Sequence, residues 1–394
     1  MKPVYIIDYA VVDTLGSSIE SNYLNMRSLA KGPRQITRYD TSLFPNILCT
    51  KAYEIDYYDG TNLMPRLLND VSTLLSSKHK FPKDTAVMFG AFTTSGGYAI
   101  KDDFENSMRS GMTRFSPIKL FANNSDLLSA TLARKLQLEG LTSSLNAACS
   151  SSMFNLHYAF TCIQLGIVKS ALVGNLESPV HPAAQYYWQS TSAISTKNGG
   201  SCKPFDKSRD GFIQAEGASL YWICDEDTVK ELGLTPKAEI LSVVAAAKGY
   251  GTATMTAHDR TGEHQISCIN QALQQANKTV KDISHFNAHA TSTPVGDDIE
   301  FDVFKKVWND IDIACVSFKG YIGHAMSACG LLEMAYSLEA QKNKFIQPNF
   351  DLTDPLSDDP RLITEPKPLT TDTFIKASFG FGGRTVIAVV NSLV

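Results

Sequence analysis

Leu145-Asn-Ala-Ala-Cys149-Ser-Ser-Ser-Met153 places one thiol at the junction of an apolar segment and a helical pattern. Forward of it, Met153, Leu156, Phe160, Ile163 and Ile167 recur at the three-and-four spacing of an amphipathic helix. Ser150 to Ser152 suit that helix's first turn as caps. Cys149 therefore falls at or just before a helix N-terminus, where unpaired backbone N–H groups favour negative charge on sulfur and a lowered thiol pKa is expected. Behind it, Leu127 to Leu138 carries Leu128, Ala130, Leu132 and Leu136 at helical spacing and ends near Gly140. Ahead, Ser170-Ala-Leu-Val-Gly-Asn175 reads as a short strand. A cysteine taken alone is more often an inert core residue than a reactive one. What singles this one out lies downstream.

Continued outward, the alternation holds. Val4 to Val12, Thr85 to Gly90 and Ala218 to Cys224 read as strands, and Asn62 to Lys78, with Leu63, Leu67, Leu68, Val71 and Leu74, as a helix. A polar connection, Asp225 to Pro236, precedes a second series: a strand Lys237 to Ala247, a helix Gln265 to Lys278, a strand His285 to Ala288 and a helix Asp297 to Trp308. A strand Ile313 to Phe318, a helix Ala325 to Gln341 and terminal strands Thr373 to Ala377 and Thr385 to Val390 follow. This predicts an α/β chain with a mostly parallel, two-sided sheet, divided near 235 into an N-terminal half, 1–235, carrying the cysteine and a C-terminal half, 236–394. No repeat is visible as residue identity, so any duplication of the halves is structural only.

With 394 residues, 43% of them hydrophobic, the chain has material for a large core. Its 36 basic and 40 acidic residues give −4, which argues against a nucleic-acid surface and leaves room only for a local basic patch facing an acidic protein. The eight cysteines form no C-x-x-C pair or close cluster, so neither zinc nor a disulfide framework is signalled, and reduced cytoplasmic thiols are expected. Met1-Lys-Pro-Val runs into an apolar strand without the parts of a secretory signal, and no uncharged apolar stretch approaches the roughly 20 residues that span a bilayer.

Two histidines stand at equivalent places. His289, in Asn287-Ala-His289-Ala-Thr-Ser-Thr, follows one strand and precedes a helix; His324, in Lys319-Gly-Tyr-Ile-Gly-His324, does the same. Sites in open α/β sheets gather at such strand ends. Each histidine alone reads as a satisfied structural residue. His285 and His289 would need a helix to ligate a metal together, and the local pattern is strand. Phe379-Gly-Phe-Gly-Gly383 lacks the spacing of a phosphate cradle, and by itself is a turn between terminal strands whose backbone can approach a ligand.

Cysteine, two histidine segments and glycine-rich turn, in this order and joined by Lys203-Pro-Phe-Asp-Lys-Ser-Arg-Asp-Gly-Phe212 with Glu216-Gly217, resemble over most of the chain the elongating (type I/II) β-ketoacyl-acyl-carrier-protein synthases of the thiolase superfamily. The resemblance implies the thiolase fold, two similar α/β halves in five layers, αβαβα. It implies decarboxylative Claisen condensation of an acyl-Cys149 enzyme with malonyl carrier protein. Cys149 would be the nucleophile, and His289 and His324 the pair acting on the malonyl group. Lys319 would orient His324 and pair with Glu333. Phe381 would be the gate beside the sulfur, its N–H joining that of Cys149 as an oxyanion hole, each donor worth about 2.7 to 4 kcal/mol by analogy. Thr291 and Thr293 would line the phosphopantetheine tunnel.

No metal or redox cofactor is implied, since substrates arrive on the phosphopantetheine of an acyl carrier protein. A dimer is implied, with a second copy or with a cysteine-lacking, chain-length-factor-like subunit. Ala290 and Ala215 stand where the family usually has glycine, and Gly383-Arg384-Thr385 where Gly-Thr-Asn is usual. These departures leave room, beside fatty-acid elongation, for a polyketide or aryl-polyene role. A superfamily acyltransferase without condensation, and a partner subunit that only shapes another synthase's tunnel, are the competing readings. Acyl length would depend on a pocket involving Phe115 to Asn123, and Arg34, Lys203 and Lys207 are candidates for meeting the carrier protein or plain surface charges.

Overall fold

A computed structural model describes residues 2–56, 63–92, 108–109, 111, 125–196, 202–248 and 259–394. Its framework is one motif run twice. The first half sets out β1 (Val4–Val12), α1 (Met64–Ser76), β2 (Ala86–Gly90), α2 (Ser125–Leu136), β3 (Thr142–Ser143), α3 (Ser151–Gln164), β4 (Ser170–Glu177) and β5 (Gly217–Asp225). The second repeats the series as β6 (Ala238–Ala247), α4 (Glu263–Gln275), β7 (Ile283–Asn287), α5 (Pro294–Trp308), β8 (Ala314–Val316), α6 (Cys329–Asn343), β9 (Thr373–Gly380) and β10 (Arg384–Ser392). Strand order is β3-β2-β4-β5-β1 in one half and β8-β7-β9-β10-β6 in the other, so the duplication absent from residue identities is explicit in topology. The halves meet where Val4, Tyr5 and Ile6 of β1 pair antiparallel with Ile240, Glu239 and Ala238 of β6.

The expected mostly parallel sheet is instead mixed. Pairs β2·β3, β2·β4, β7·β8 and β7·β9 are parallel, whereas β4·β5, β5·β1, β9·β10 and β10·β6 run antiparallel. Helix–strand alternation along a chain reports crossovers, and it is silent on the last two strands of each half, which return without a crossover helix packed on the sheet.

Three apolar cores hold the layers together. Leu67, Leu68 and Val71 of α1 and Leu128 and Leu132 of α2 cover one outer face, packed on Val87, Leu172 and Trp222. Ile269 and Leu273 of α4 and Phe301 and Phe304 of α5 cover the other, on Phe286, Ile375 and Ile387. Between the halves lie α3 and α6, whose Met153, Leu156, Leu331, Leu332 and Met334 belong to one central core with residues of both halves. Every residue of α6 from Cys329 to Gln341 is buried, which explains its lack of a polar face. The chain thus forms five layers, helix, sheet, helix, sheet, helix. Two local expectations change. The predicted helix from Ala325 is a 3₁₀ turn, Met326–Ala328, leading into α6, and the polar connection before β6 contains a short helix, Glu226–Glu231. No helix among the described residues is long and apolar enough to cross a membrane.

Candidate active site

Cys149 sits on an elbow immediately before α3. Ala148 adopts φ 51°, an uncommon value for a residue with a Cβ. The turn is closed by Ser150, whose N–H and hydroxyl donate to the Ala147 carbonyl at 3.2 and 2.7 Å, and by Ser151, whose Oγ accepts from Ala147 N–H at 2.8 Å. The glycine-rich turn presses on this elbow: a Cβ at Gly380 would stand 2.6 Å from the Ala147 carbonyl and 2.7 Å from Ser150 Oγ.

His324 reaches the sulfur from the second half. A helical turn, Lys319–Ile322, follows β8, and Gly323 at φ 74° reverses the chain where a Cβ would strike the Tyr53 ring at 2.4 Å. The His324 backbone then donates to Ile213 O at 2.8 Å and accepts from Ala215 N–H at 3.0 Å. Its Nε2 lies 3.2 Å from Cys149 Sγ. The His289 ring stands edge-on to that of His324 with centroids 5.6 Å apart, and Phe212 packs edge-on to His324 at 5.1 Å. Three groups remote in sequence share one hollow.

The His289 loop is held by its backbone. Both carboxylate oxygens of Glu300, on α5, accept N–H bonds of 2.6 Å, one from His289 and one from Ala290. Lys319 donates from Nζ to the His289 carbonyl at 2.6 Å and pairs with Glu333 of α6 at 2.5 Å. The pairing with Glu333 is as expected, but the ammonium grips the main chain of His289 where orientation of His324 was anticipated. Lys376, in β9, pairs with the other Glu333 oxygen at 2.5 Å.

Burial governs the charge states. It lowers the Lys319 pKa, but the attraction and hydrogen bond of Glu333, together with Cys329 and Glu300, more than offset this and the net shift is upward. Burial, then Lys319 and Lys376, drive the His324 imidazole well below its ordinary value, so it is neutral. The Cys149 thiol moves opposite to the expectation from helix position: burial raises it, the neighbouring Cys329 adds to the rise, and Lys319 only partly opposes them. The resting pair is therefore a neutral thiol beside a neutral imidazole.

These groups open onto a cavity of about 120 Å³ lined by Cys149, His289, His324, Phe212, Phe381 and Trp188, and continued by Thr291 and Thr293. The two threonine hydroxyls lie 3.1 Å apart, and the Phe381 and Trp188 ring centroids 5.9 Å apart. Every predicted site residue except the ion-pair partners Lys319 and Glu333 lines this cavity, and those two stand directly behind it. No group of three His, Cys, Asp or Glu among the described residues could hold a metal ion. His285 lies within β7 with Nε2 2.9 Å from Ser337 Oγ.

Comparison with known proteins bears on this arrangement. Residues 71–228 match the family model of the β-ketoacyl synthase N-terminal domain and residues 238–353 that of the β-ketoacyl synthase C-terminal domain, well over half of the chain between them. The chain belongs to the β-ketoacyl synthase family. A 3-oxoacyl-[acyl-carrier-protein] synthase 2 of Coxiella burnetii is 26% identical over 410 residues, covering 99% of this chain and 98% of its own. The ishigamide ketosynthase/chain length factor superposes with TM-score 0.86 at 21% identity, covering 100% of both chains. AntDE:AntF, a type II polyketide acyl-carrier protein in complex with its ketosynthase, gives TM-score 0.85 at 18% identity, again with 100% of both chains covered. The fold is that of the thiolase-type ketosynthases.

Within this β-ketoacyl synthase, sequence reasoning passed over Lys376, Glu300, Trp188 and Cys329, whose thiol reaches the Cys149 carbonyl at 3.4 Å. Lys376 carried a readable signal, a lone charge inside an apolar terminal strand. The surface cations named as docking candidates each have a partner: Lys203 pairs with Asp351 at 2.9 Å, Lys207 with Asp354 at 2.7 Å and Arg34 with Asp56. Phe115 to Asn123 lie outside the described residues.

Proposed function

We propose that this chain is a β-ketoacyl-ACP synthase that joins an acyl group on Cys149 to malonyl carrier protein by decarboxylative Claisen condensation, in fatty-acid, polyketide or aryl-polyene-type biosynthesis. The observation that carries the reading is the 3.2 Å approach of His324 Nε2 to Cys149 Sγ with His289 edge-on beside it in one cavity. A partner subunit that only shapes a tunnel has no use for that contact.

Acyl transfer begins with sulfur attack on the carrier thioester. The S–H proton passes to His324 Nε2 and on to the departing phosphopantetheine thiolate, so that one C–S bond forms as another breaks. Backbone N–H groups of Cys149 and Phe381 are the proposed donors to the oxyanion. Malonyl thioester then enters along Thr291 and Thr293 and loses carbon dioxide, leaving an enolate. His289 and His324 are the proposed donors to its oxygen, His324 once its ring proton has moved from Nδ1 to Nε2. The carbanion attacks the acyl-Cys149 carbonyl, Cys149 leaves as thiolate and takes up one proton, and the product is two carbons longer. No metal or redox cofactor enters this scheme.

We further propose an acyl carrier protein as partner, as in AntDE:AntF. The same reading takes the chain to act in the cytoplasm as a dimer, either with itself or with a chain-length-factor-like subunit. Intact-mass measurement after exposure to acyl carrier protein thioesters tests the core claim. Wild type should gain one acyl mass and release carbon dioxide from malonyl carrier protein, whereas Cys149→Ala should remain unlabelled. Persistent labelling of that variant, or acylation with transfer to an amine or alcohol and no carbon dioxide, would refute condensation.

A further inference from the structure

Strand β9 puts a lysine where its alternation calls for a core residue. Ile375 and Ala377 belong to the outer core of the second half, while Phe374 and Lys376 turn toward the middle layer. The Lys376 side chain has no exposed surface. Its Nζ lies 2.5 Å from a Glu333 oxygen, 3.0 Å from Asn287 Oδ1 and 3.1 Å from the Ala288 carbonyl. Lys319 repeats the pattern one residue on, with the other Glu333 oxygen at 2.5 Å and the His289 carbonyl at 2.6 Å. Two successive carbonyls of the His289 loop are thus each held by an ammonium, and both ammoniums hang from one carboxylate. Asn287 completes the frame, its amide donating to the Glu333 carbonyl at 2.9 Å and to Ser337 Oγ at 2.8 Å.

As packing alone this is a poor arrangement. One lysine neutralises Glu333, and a second buried amine adds desolvation cost and cation–cation repulsion that an apolar side chain in β9 would avoid. The arrangement makes sense if the His289 loop must not move.

We propose that Lys376 is a positioning residue for the decarboxylation step, clamping the His289 loop jointly with Lys319 so that the His289 imidazole keeps its direction beside His324. The proposal deepens the condensing reading and rests on it. Lys376 touches no substrate. Its bonds run to the His289 loop and to Glu333, whereas the Cys149–His324 contact is built by the elbow and by the turn after β8. Loss of the clamp should therefore spare acyl transfer and impair malonyl activation.

The test separates the two partial reactions in the full-length protein. Rates of Cys149 labelling by an acyl carrier protein thioester and of carbon dioxide release from malonyl carrier protein are measured for wild type and for Lys376→Met, which keeps volume but removes the charge. Decarboxylation should fall at least about tenfold while labelling stays within about threefold, the behaviour of a mispositioned group. A general folding defect would lower both together. Lys376→Gln, which keeps a donor for the Ala288 carbonyl, should recover part of the loss, and it replaces the methionine variant in the same ratio should that one fail to fold. Equal losses in both reactions, or no loss, in a folded variant overturn the role of Lys376. A wild type that neither labels nor releases carbon dioxide overturns the condensing reading itself.

Discussion

Whether Cys149 is a thiolate or a thiol at rest depends on which of two effects dominates, helix position or burial. A helix N-terminus favours the anion by a fraction of a kcal/mol up to about 2 kcal/mol, while complete desolvation shifts a group by as much as several pKa units. Burial wins, and the resting sulfur keeps its proton beside a His324 imidazole that burial holds neutral. Geometry therefore matters more at this residue than a standing charge. The elbow depends on the absence of a side chain at Gly380, so Gly380→Ala should push Ala147 and Ser150 and displace the sulfur. Acyl labelling of Cys149 should fall about 100-fold, the effect of an error near 1 Å at a reacting atom. A stopped-time mass assay reads it, and an unchanged labelling rate would show that the elbow tolerates the shift.

At the scale of elements, the site is made by two helices that belong to different halves. α3 carries the nucleophile at its start, and α6 follows the His324 turn and supplies Glu333. They approach closely at Gly330, where a Cβ would stand 2.4 Å from Met153 Cγ and 3.1 Å from Ser152 Oγ. Gly330→Ala should therefore overpack the middle layer and cost about 1–3 kcal/mol in urea unfolding. An unchanged midpoint would mean that Met153 swings aside freely. Both helices were legible in the sequence, α3 from its apolar spacing, although that pattern runs on to Ile167, which is exposed beyond the helix end at Gln164. Their partnership was not, because α6 is buried all round and its sequence carries no direction. Lys376 shows the same limit: β9 was legible as a strand, yet which of its faces meets Glu333 depends on pairing with β7, where Lys376 lies opposite Asn287.

For the whole molecule, the middle layer also sets how the protein answers acid. His285 is fully buried in β7, bonded to Ser284 and Ser337, and burial lowers its pKa to about 3. A depressed histidine contributes stability that is present above about pH 6.5 and is lost as pH falls toward about 3, since only the unfolded chain takes up the proton. The stability gap between wild type and His285→Gln should accordingly narrow by about 1.4 kcal/mol per pH unit between roughly pH 6 and 4. Denaturant titrations at several pH values measure this, and a constant gap would mean that His285 protonates in place. The sequence by itself determined the alternation of helices and strands, the place of Cys149 just before a helix and of His289 just after a strand, and the family those motifs announce, because each is written in local spacing and residue type. Only the tertiary structure decided that the sheet is mixed, that Lys319 holds the His289 carbonyl, and that Lys376 shares Glu333. Those facts depend on which distant segments pack together and how deeply they bury one another, and burial is a property of the folded whole.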